Sequence, residues 1–187
     1  NDSTESGGGI RIWEGSTVSI QQSAFVENYS NLGGGVRVMN NQGQTNIENC
    51  LFLANEASNT AGVMFSNSNA TVTGCAFKKN VGGGLRCTGG SSNINVFDSL
   101  FCGNTPANTS GNCGYYEGNL FYEECCDADL TDDQLVNVDD LLIVVSDLNC
   151  EQSGNCDNYG SDINGDGAVN VIDLLIIIDS WGYCVFE

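Results

Sequence analysis

The chain has 187 residues, with 24 acidic and 5 basic side chains, no histidine and ten cysteines. A formal charge of −19 repels nucleic acid phosphates and anionic lipid surfaces, which argues against binding to either. Without histidine there is no Ser-His-Asp or Cys-His catalysis and no His-based zinc site.

The length admits one domain, or a domain plus a small module. Ten cysteines predict an oxidising compartment and a disulfide framework, hence a secreted or cell-surface protein. The longest apolar runs, Leu141–Val145 and Leu174–Ile178, fall far short of the roughly 20 residues that span a bilayer. The sequence shows no initiator Met and no signal peptide, and reads as a mature or excerpted chain. Charge is unevenly placed. Residues 1–122 hold 8 acidic and all 5 basic residues, whereas residues 123–187 hold 16 acidic residues and no basic one. The shift predicts two domains: 1–124, a body ending in a C-terminal cap, and 125–187, a small acidic module.

The body carries an internal repeat. Gly7-Gly8-Gly9-Ile10, Gly33-Gly34-Gly35-Val36 and Gly82-Gly83-Gly84-Leu85 are copies, and Thr60-Ala61-Gly62-Val63 is a degraded one. Each has its Phe-x-x-Asn: Phe25 and Asn28, Phe52 and Asn55, Phe77 and Asn80, Phe101 and Asn104, at Phe-to-Phe spacings of 27, 25 and 24 residues. Ile20, Ile47, Val72 and Val96 mark a short strand five residues before each Phe. The period is too short for a propeller blade, and the β-branched alternation is not helical. Coils of a parallel β-helix fit, with like residues stacking along the axis and about four rungs sharing one core. These motifs resemble the polymorphic outer-membrane-protein repeat, a right-handed β-helix region marked by GGA[I/L/V] and FxxN, over roughly residues 7–104. The resemblance implies a mainly β fold and is nearly silent on function.

Two ladders follow from the alignment. Ser23, Cys50, Cys75 and Ser99 precede the Phe by two residues. In-register stacking would bring Cys50 and Cys75 about 4.8 Å apart and predicts a disulfide between them. The outward position after each glycine run gives Arg11, Arg37, Met64 and Arg86, either solvated charges or an anionic-glycan surface. Other charges in the body (Glu14, Glu27, Glu48, Glu56, Asp98, Lys78, Lys79) form no catalytic cluster when aligned by rung. The chemistry of a lyase or a glycosidase needs one. Sequons at Asn1, Asn28, Asn69 and Asn108 are candidate glycosylation sites, with Asn28 disfavoured because it belongs to the FxxN turn.

The acidic half predicts a Ca²⁺ module. Residues 162–173 place oxygen ligands at positions 1, 3, 5, 9 and 12 of a twelve-residue loop: Asp162, Asn164, Asp166, Asn170 and Asp173. The Ala168 carbonyl stands at position 7 and Gly167 at the sharp turn. A second copy lies 33 residues upstream: Asp129, Thr131, Asp133, the Leu135 carbonyl, Asn137 and Asp140. It departs at Thr131 and at Gln134, which replaces the turn glycine, so weaker binding is expected there.

Each loop runs into an apolar segment. With Asp at position 12 and no helix before the second loop, the duplication resembles a type I dockerin module over roughly 127–183. That resemblance implies two loop–helix repeats and a protein partner. Positions 10 and 11, which would face the partner, are Val138-Asp139 and Val171-Ile172, and depart from the hydroxyl-bearing pair of that family. In such a module Cys150 and Cys156 could staple the linker, and Cys125 or Cys126 could clasp Cys184. None of the 16 carboxylates has a basic partner within the module, so folding should depend on metal.

The reading favoured by these features is a secreted, non-catalytic structural protein whose tail attaches it to another protein or to a copy of itself, in a head-to-tail filament in its most concrete form. Alternatives are a fragment of a carbohydrate-active β-helix enzyme, a polysaccharide lyase or glycosidase, and a glycan-binding adhesin.

Overall fold

A computed structural model describes residues 2–3, 7–89, 93–148, 160–164 and 168–184. The chain divides into two compact units, Asn1–Cys125 and Cys126–Glu187.

The first unit is a parallel β-solenoid of about four turns. Its first face stacks Ile10–Trp13, Val36–Met39, Val63–Ser66, Leu85–Thr88 and Thr109–Gly111. Its second stacks Val18–Gln21, Gln44–Glu48, Asn69–Thr73, Asn93–Phe97 and Tyr115–Glu117. Its third stacks Ala24–Val26, Leu51–Leu53, Ala76–Lys78, Leu100–Cys102 and Leu120–Tyr122. A smaller face holds Asp2–Ser3, Tyr29–Leu32 and Glu56–Asn59. Pairing within each face is parallel, so each strand's hydrogen bonds go to the coils before and after it.

Register places like on like. Ile20, Ile47, Val72 and Val96 align on the second face. Phe25, Phe52, Phe77 and Phe101 align on the third, their rings stacked at 4.9, 4.8 and 4.6 Å. Side chains alternate, as a strand with one buried side requires: Gln44–Glu48 buries Thr45 and Ile47 and turns its other side chains outward, whereas Val63–Ser66 also buries the outward-facing Met64. Stacked rings add about 0.5–1.5 kcal/mol per pair to the area they bury.

The FxxN asparagine closes the polar account at the corner. Asn80 Nδ2 donates to the Phe52 carbonyl (2.9 Å) and to Asn104 Oδ1 (2.8 Å). Asn80 Oδ1 accepts from Asn55 Nδ2 (2.9 Å) and from the Asn55 N–H (3.1 Å). The same pattern joins Asn28 to Asn55. The same ring column explains the glycine before the first three first-face strands, Gly9, Gly35 and Gly62. A Cβ on Gly35 would lie 2.9 Å from Phe52 Cδ1 and 2.8 Å from the Gly62 carbonyl oxygen, so only glycine lets the coil close on its Phe.

Strands continue past the motif repeat, which ends near residue 104. Residues 109–122 supply a fifth strand to each of the three main faces, and Phe121 continues the ring stack 5.0 Å from Phe101. The disulfide expectation for Cys50 and Cys75 is corrected. Both are free and buried, although they stack one coil apart, the Ala76 N–H donating to the Cys50 carbonyl. Directly stacked positions have parallel Cα–Cβ bonds about 4.8 Å apart, beyond the usual 3.5–4.5 Å between the Cβ atoms of a disulfide. Each thiol turns instead to carbonyls, Cys50 to Glu48 (3.2 Å) and Cys75 to Thr73 (3.4 Å). A hydrogen bond between the two thiols holds Cys50 down, to about 7, while that hydrogen bond and burial push Cys75 up. The solenoid's disulfides join offset positions, Cys87–Cys113 and Cys102–Cys125, with Cα–Cα distances of 5.1 and 5.0 Å.

The second unit holds α1 (Val138–Ser146), α2 (Val171–Asp179) and an antiparallel pair, Leu135–Val136 with Gly182–Tyr183. Its core is Ala128, Val136, Val144, Val169 and Ile177. Of the two partners open to Cys184, the structure joins Cys126. Cys150 and Cys156 lie outside the described residues.

Candidate functional site

The loop before α1 wraps around two carboxylates. Asp140, fully buried, accepts through Oδ1 from the N–H groups of Leu130 (2.8 Å) and Thr131 (2.9 Å), and through Oδ2 from that of Asn137 (2.8 Å). Asp129 accepts from the N–H groups of Asp133 (3.1 Å) and Gln134 (2.8 Å). The Thr131 hydroxyl lies 3.0 Å from Asp140 Oδ1 and 3.4 Å from Asp129 Oδ1. Loop positions 1, 3 and 12 therefore converge. Asp133 turns to the Leu135 N–H (2.8 Å), and the Leu135 carbonyl faces Asn137 Nδ2 at 3.5 Å. Burial pushes the Asp129 carboxyl up, and the charges of Asp132 and Asp140 push the same way, against the bonds from Gln134 and Asp133.

The loop before α2 repeats these bonds 33 residues on. Asp173, fully buried, accepts through Oδ1 from the N–H groups of Ile163 (2.8 Å) and Asn164 (3.3 Å), and through Oδ2 from that of Asn170 (2.9 Å). The Ala168 carbonyl faces Asn170 Nδ2 at 3.0 Å. Asp162 and Asn164 are in the described part of this loop, whereas Asp166 and Gly167 lie outside it. Both helices start with one device. Asn137 and Asn170 cap them, and Asp140 and Asp173 reach back to the cap N–H to complete capping boxes. The last ligand position thus doubles as the third helical residue, which fixes its carboxylate over the loop. An acid there also meets the positive end of the helix dipole.

A hard cation would suit this donor chemistry: carboxylate, amide, hydroxyl and carbonyl oxygens on one loop, with no sulfur and no imidazole. Among the described residues no three acidic or cysteine side chains share one metal-sized point. A bound ion would therefore draw on Thr131, Asn137 and the Leu135 carbonyl beside Asp129, Asp133 and Asp140.

Beyond the loops, both helices are apolar on the outside. Val138, Leu142 and Val145 of α1 are 52, 58 and 45 % exposed, at the i, i+4, i+7 spacing of one face. Val171, Ile172, Leu175 and Ile178 of α2 are 62, 48, 57 and 56 % exposed. Ile172, Leu175, Ile176, Ile178 and Asp179 line a shallow depression. The partner positions expected from sequence, Val138, Asp139, Val171 and Ile172, belong to this surface. Leu142, Val145, Leu175 and Ile178 extend it; helical spacing from Val138 and Val171 is the signal that finds them.

On the solenoid, Arg11, Arg37, Met64 and Arg86 do stack in register on the first face. Glu48 accepts from Gln21 Nε2 (2.8 Å), and the rung of Thr73 separates it from the rung that leads to Asp98. Asn28 is buried with its Nδ2 on Asn55, so its sequon is closed in the folded chain. Asn69 and Asn108 are half-buried, donating to the carbonyls of Gln42 and Tyr122, and Asn1 lies outside the described residues.

The family model described as right handed beta helix region matches residues 1–123. The chain belongs to the right-handed β-helix family. Comparison with the curated proteins and with the solved structures finds no match. The β-helix match ends two residues short of the division between the two units, so it covers the solenoid and none of the acidic module.

Proposed function

We propose that this is a secreted, non-catalytic structural protein. Its β-helix body carries a Ca²⁺-stabilised, dockerin-like tail that attaches it to another protein or to a second copy. The observation that carries the reading is the outward apolar surface of α1 and α2, set on two loops that each enclose a buried carboxylate. A module this small does not leave seven large aliphatic side chains about half exposed without a partner to cover them. Three disulfides among the described residues support an extracellular setting, and no described helix is long and apolar enough to cross a membrane.

Bound Ca²⁺ would supply the positive charge that residues 123–187 lack. Asp129, Thr131, Asp133, Asn137, Asp140 and the Leu135 carbonyl would hold one ion. Asp162, Asn164, Asp166, Asn170, Asp173 and the Ala168 carbonyl would hold the other. The chain's own N–H groups orient the position-12 acids in both. The test is sedimentation of the full chain in Ca²⁺ and in chelator, alongside circular dichroism. Ca²⁺-dependent helicity with Ca²⁺-dependent association is the expected result. An unchanged helical signal in chelator, with a strict monomer in both, would overturn the proposal.

A further inference from the structure

The column of arginines on the first face is not a set of independent solvated charges. Arg11 is exposed, its guanidinium 4.8 Å from the centre of the Trp13 ring. Arg37, Met64 and Arg86 lie deeper. Met64 is buried between its two neighbours in register, and Arg37 and Arg86 are half-buried. Arg86 does not stay in its own coil. Its Nη1 donates to Asn59 Oδ1, and Asn59 belongs to the coil that contains Met64. Arg86 thus reaches into the coil that lies between its own and that of Arg37, the two arginines standing two rungs apart at about 4.8 Å each.

The partner Arg86 meets there is a neutral amide. The Nε atoms of both Arg37 and Arg86 are buried without an acceptor, as is the hydroxyl of Thr60 next to Asn59 in sequence. The Arg37 guanidinium is held below its ordinary range, first by burial and then by the charge of Arg11, with no carboxylate acting against either. The corner glycine adds to the confinement. A Cβ on Gly33 would lie 2.9 Å from Arg37 Cβ, so the turn packs its backbone directly on the arginine stem. Buried fork donors left without acceptors cost stability unless a ligand supplies them, and a planar or tetrahedral oxyanion is what two guanidinium forks accept together.

We infer that Arg37 and Arg86, one on each side of Met64 on the first face, form a binding site for one oxyanion group, a carboxylate or a sulfate, held between their forks. Two sources present that chemistry: a small free anion, or a carboxylate from the acidic half of a second copy, whose residues 123–187 include 16 acids and no basic residue.

The experiment uses the full chain in Ca²⁺, with sodium sulfate and sodium citrate against sodium chloride at matched ionic strength. It follows the thermal midpoint of the β-helix and the heat of titration. Sulfate raises the midpoint of many proteins by exclusion from their surfaces, so the comparison that decides is with Arg37→Gln/Arg86→Gln. Expected is a saturable rise of a few degrees in the native chain that the double variant loses. In plain chloride the double variant should melt at or above the native chain, because like charges have been removed; a purely structural role would lower it. Arg37→Lys/Arg86→Lys, which keeps charge and stem but not the fork, should bind about tenfold or more weakly. Sedimentation at low salt separates the sources. Concentration-dependent association lost in the double variant assigns the acidic half of a second copy, and sulfate binding by a chain that stays monomeric assigns a free anion. An equal sulfate response in native and double-variant chains, or no response and no association in either, would overturn the site.

Discussion

Asn80 in the β-helix and Asp140 in the acidic module are both fully buried, polar and bonded to backbone N–H groups, yet they leave different accounts behind. The asparagine column is neutral. Each amide gives to the next and receives from the last, so the stack closes on itself and needs nothing from solvent. The aspartates receive more bonds than an asparagine of the column does but carry charge into a unit with no basic residue. Hydrogen bonding orders both regions, and only the second carries charge that a cation would offset. The comparison teaches that the two halves should respond separately to the same perturbations, one indifferent to divalent metal and the other governed by it.

The largest effect should come from breaking the neutral column. Asn80→Ala strands the Asn55 donors inside the core and removes the side-chain donor from the Phe52 carbonyl, while Asn104 Oδ1 keeps the Asn80 backbone N–H. At about 1–3 kcal/mol per stranded group, with some relaxation, a loss of about 3–5 kcal/mol is expected in urea unfolding of the β-helix. The helical transition of the module should not move. Asp173→Asn sharpens the other side of the comparison. Three N–H donors lose a charged acceptor, and the module should lose about 1.5–3 kcal/mol. Metal titration should lose the corresponding site. Destabilisation of the β-helix by this change would show that the halves are not energetically separate.

Legibility in the sequence followed the same division. The recurrent Gly, Phe and Asn made the faces and their register readable, because a repeat states each contact several times. Where one residue took over another's role, the signal vanished. The last coil has Glu124 where Asn would complete Phe121-x-x-Asn; Asn108 accepts from Asn104 Nδ2 and donates to the Tyr122 carbonyl in its place. Stacking logic that places Phe on Phe misleads for cysteine, since rings tolerate a rung's spacing and a disulfide needs an offset. Left-handed corners were hidden as well. Gln22, Asn49, Gly74, Asp98 and Gly118 share one positive-φ position after the second face, and their variety gives no motif. In the module, the 33-residue offset located both loops, and the apolar face emerged only once the helix starts at Val138 and Val171 were fixed.

The degraded glycine turn offers a gain in place of a loss. Thr60 takes the place of Gly33, with φ of 73° against 68°. A β-branched residue there is strained, and its hydroxyl is buried without a partner. Thr60→Gly should stabilise the β-helix by about 1–2 kcal/mol, read as a higher urea midpoint at unchanged slope. No change would mean that the corner has relaxed around threonine.

The smallest effect tests the corresponding position in the module. Gln134 sits at φ of 71°, where a loop of this type turns on glycine. It holds that conformation because its N–H is bonded to Asp129 Oδ2 at 2.8 Å. Gln134→Gly relieves about 1–2 kcal/mol of left-handed strain and returns about 0.5–1 kcal/mol in unfolded-chain entropy, for a net gain of about 0.5–1 kcal/mol. If Asp129, Thr131 and Asp140 serve a cation, that gain should appear as a few-fold tighter Ca²⁺ binding at the first loop, because the turn places Asp129. If the loop is only a scaffold for α1, the module should gain the same stability in chelator and bind the metal no better. One substitution, measured with and without Ca²⁺, thus separates a turn that supports a helix from a turn that supports an ion.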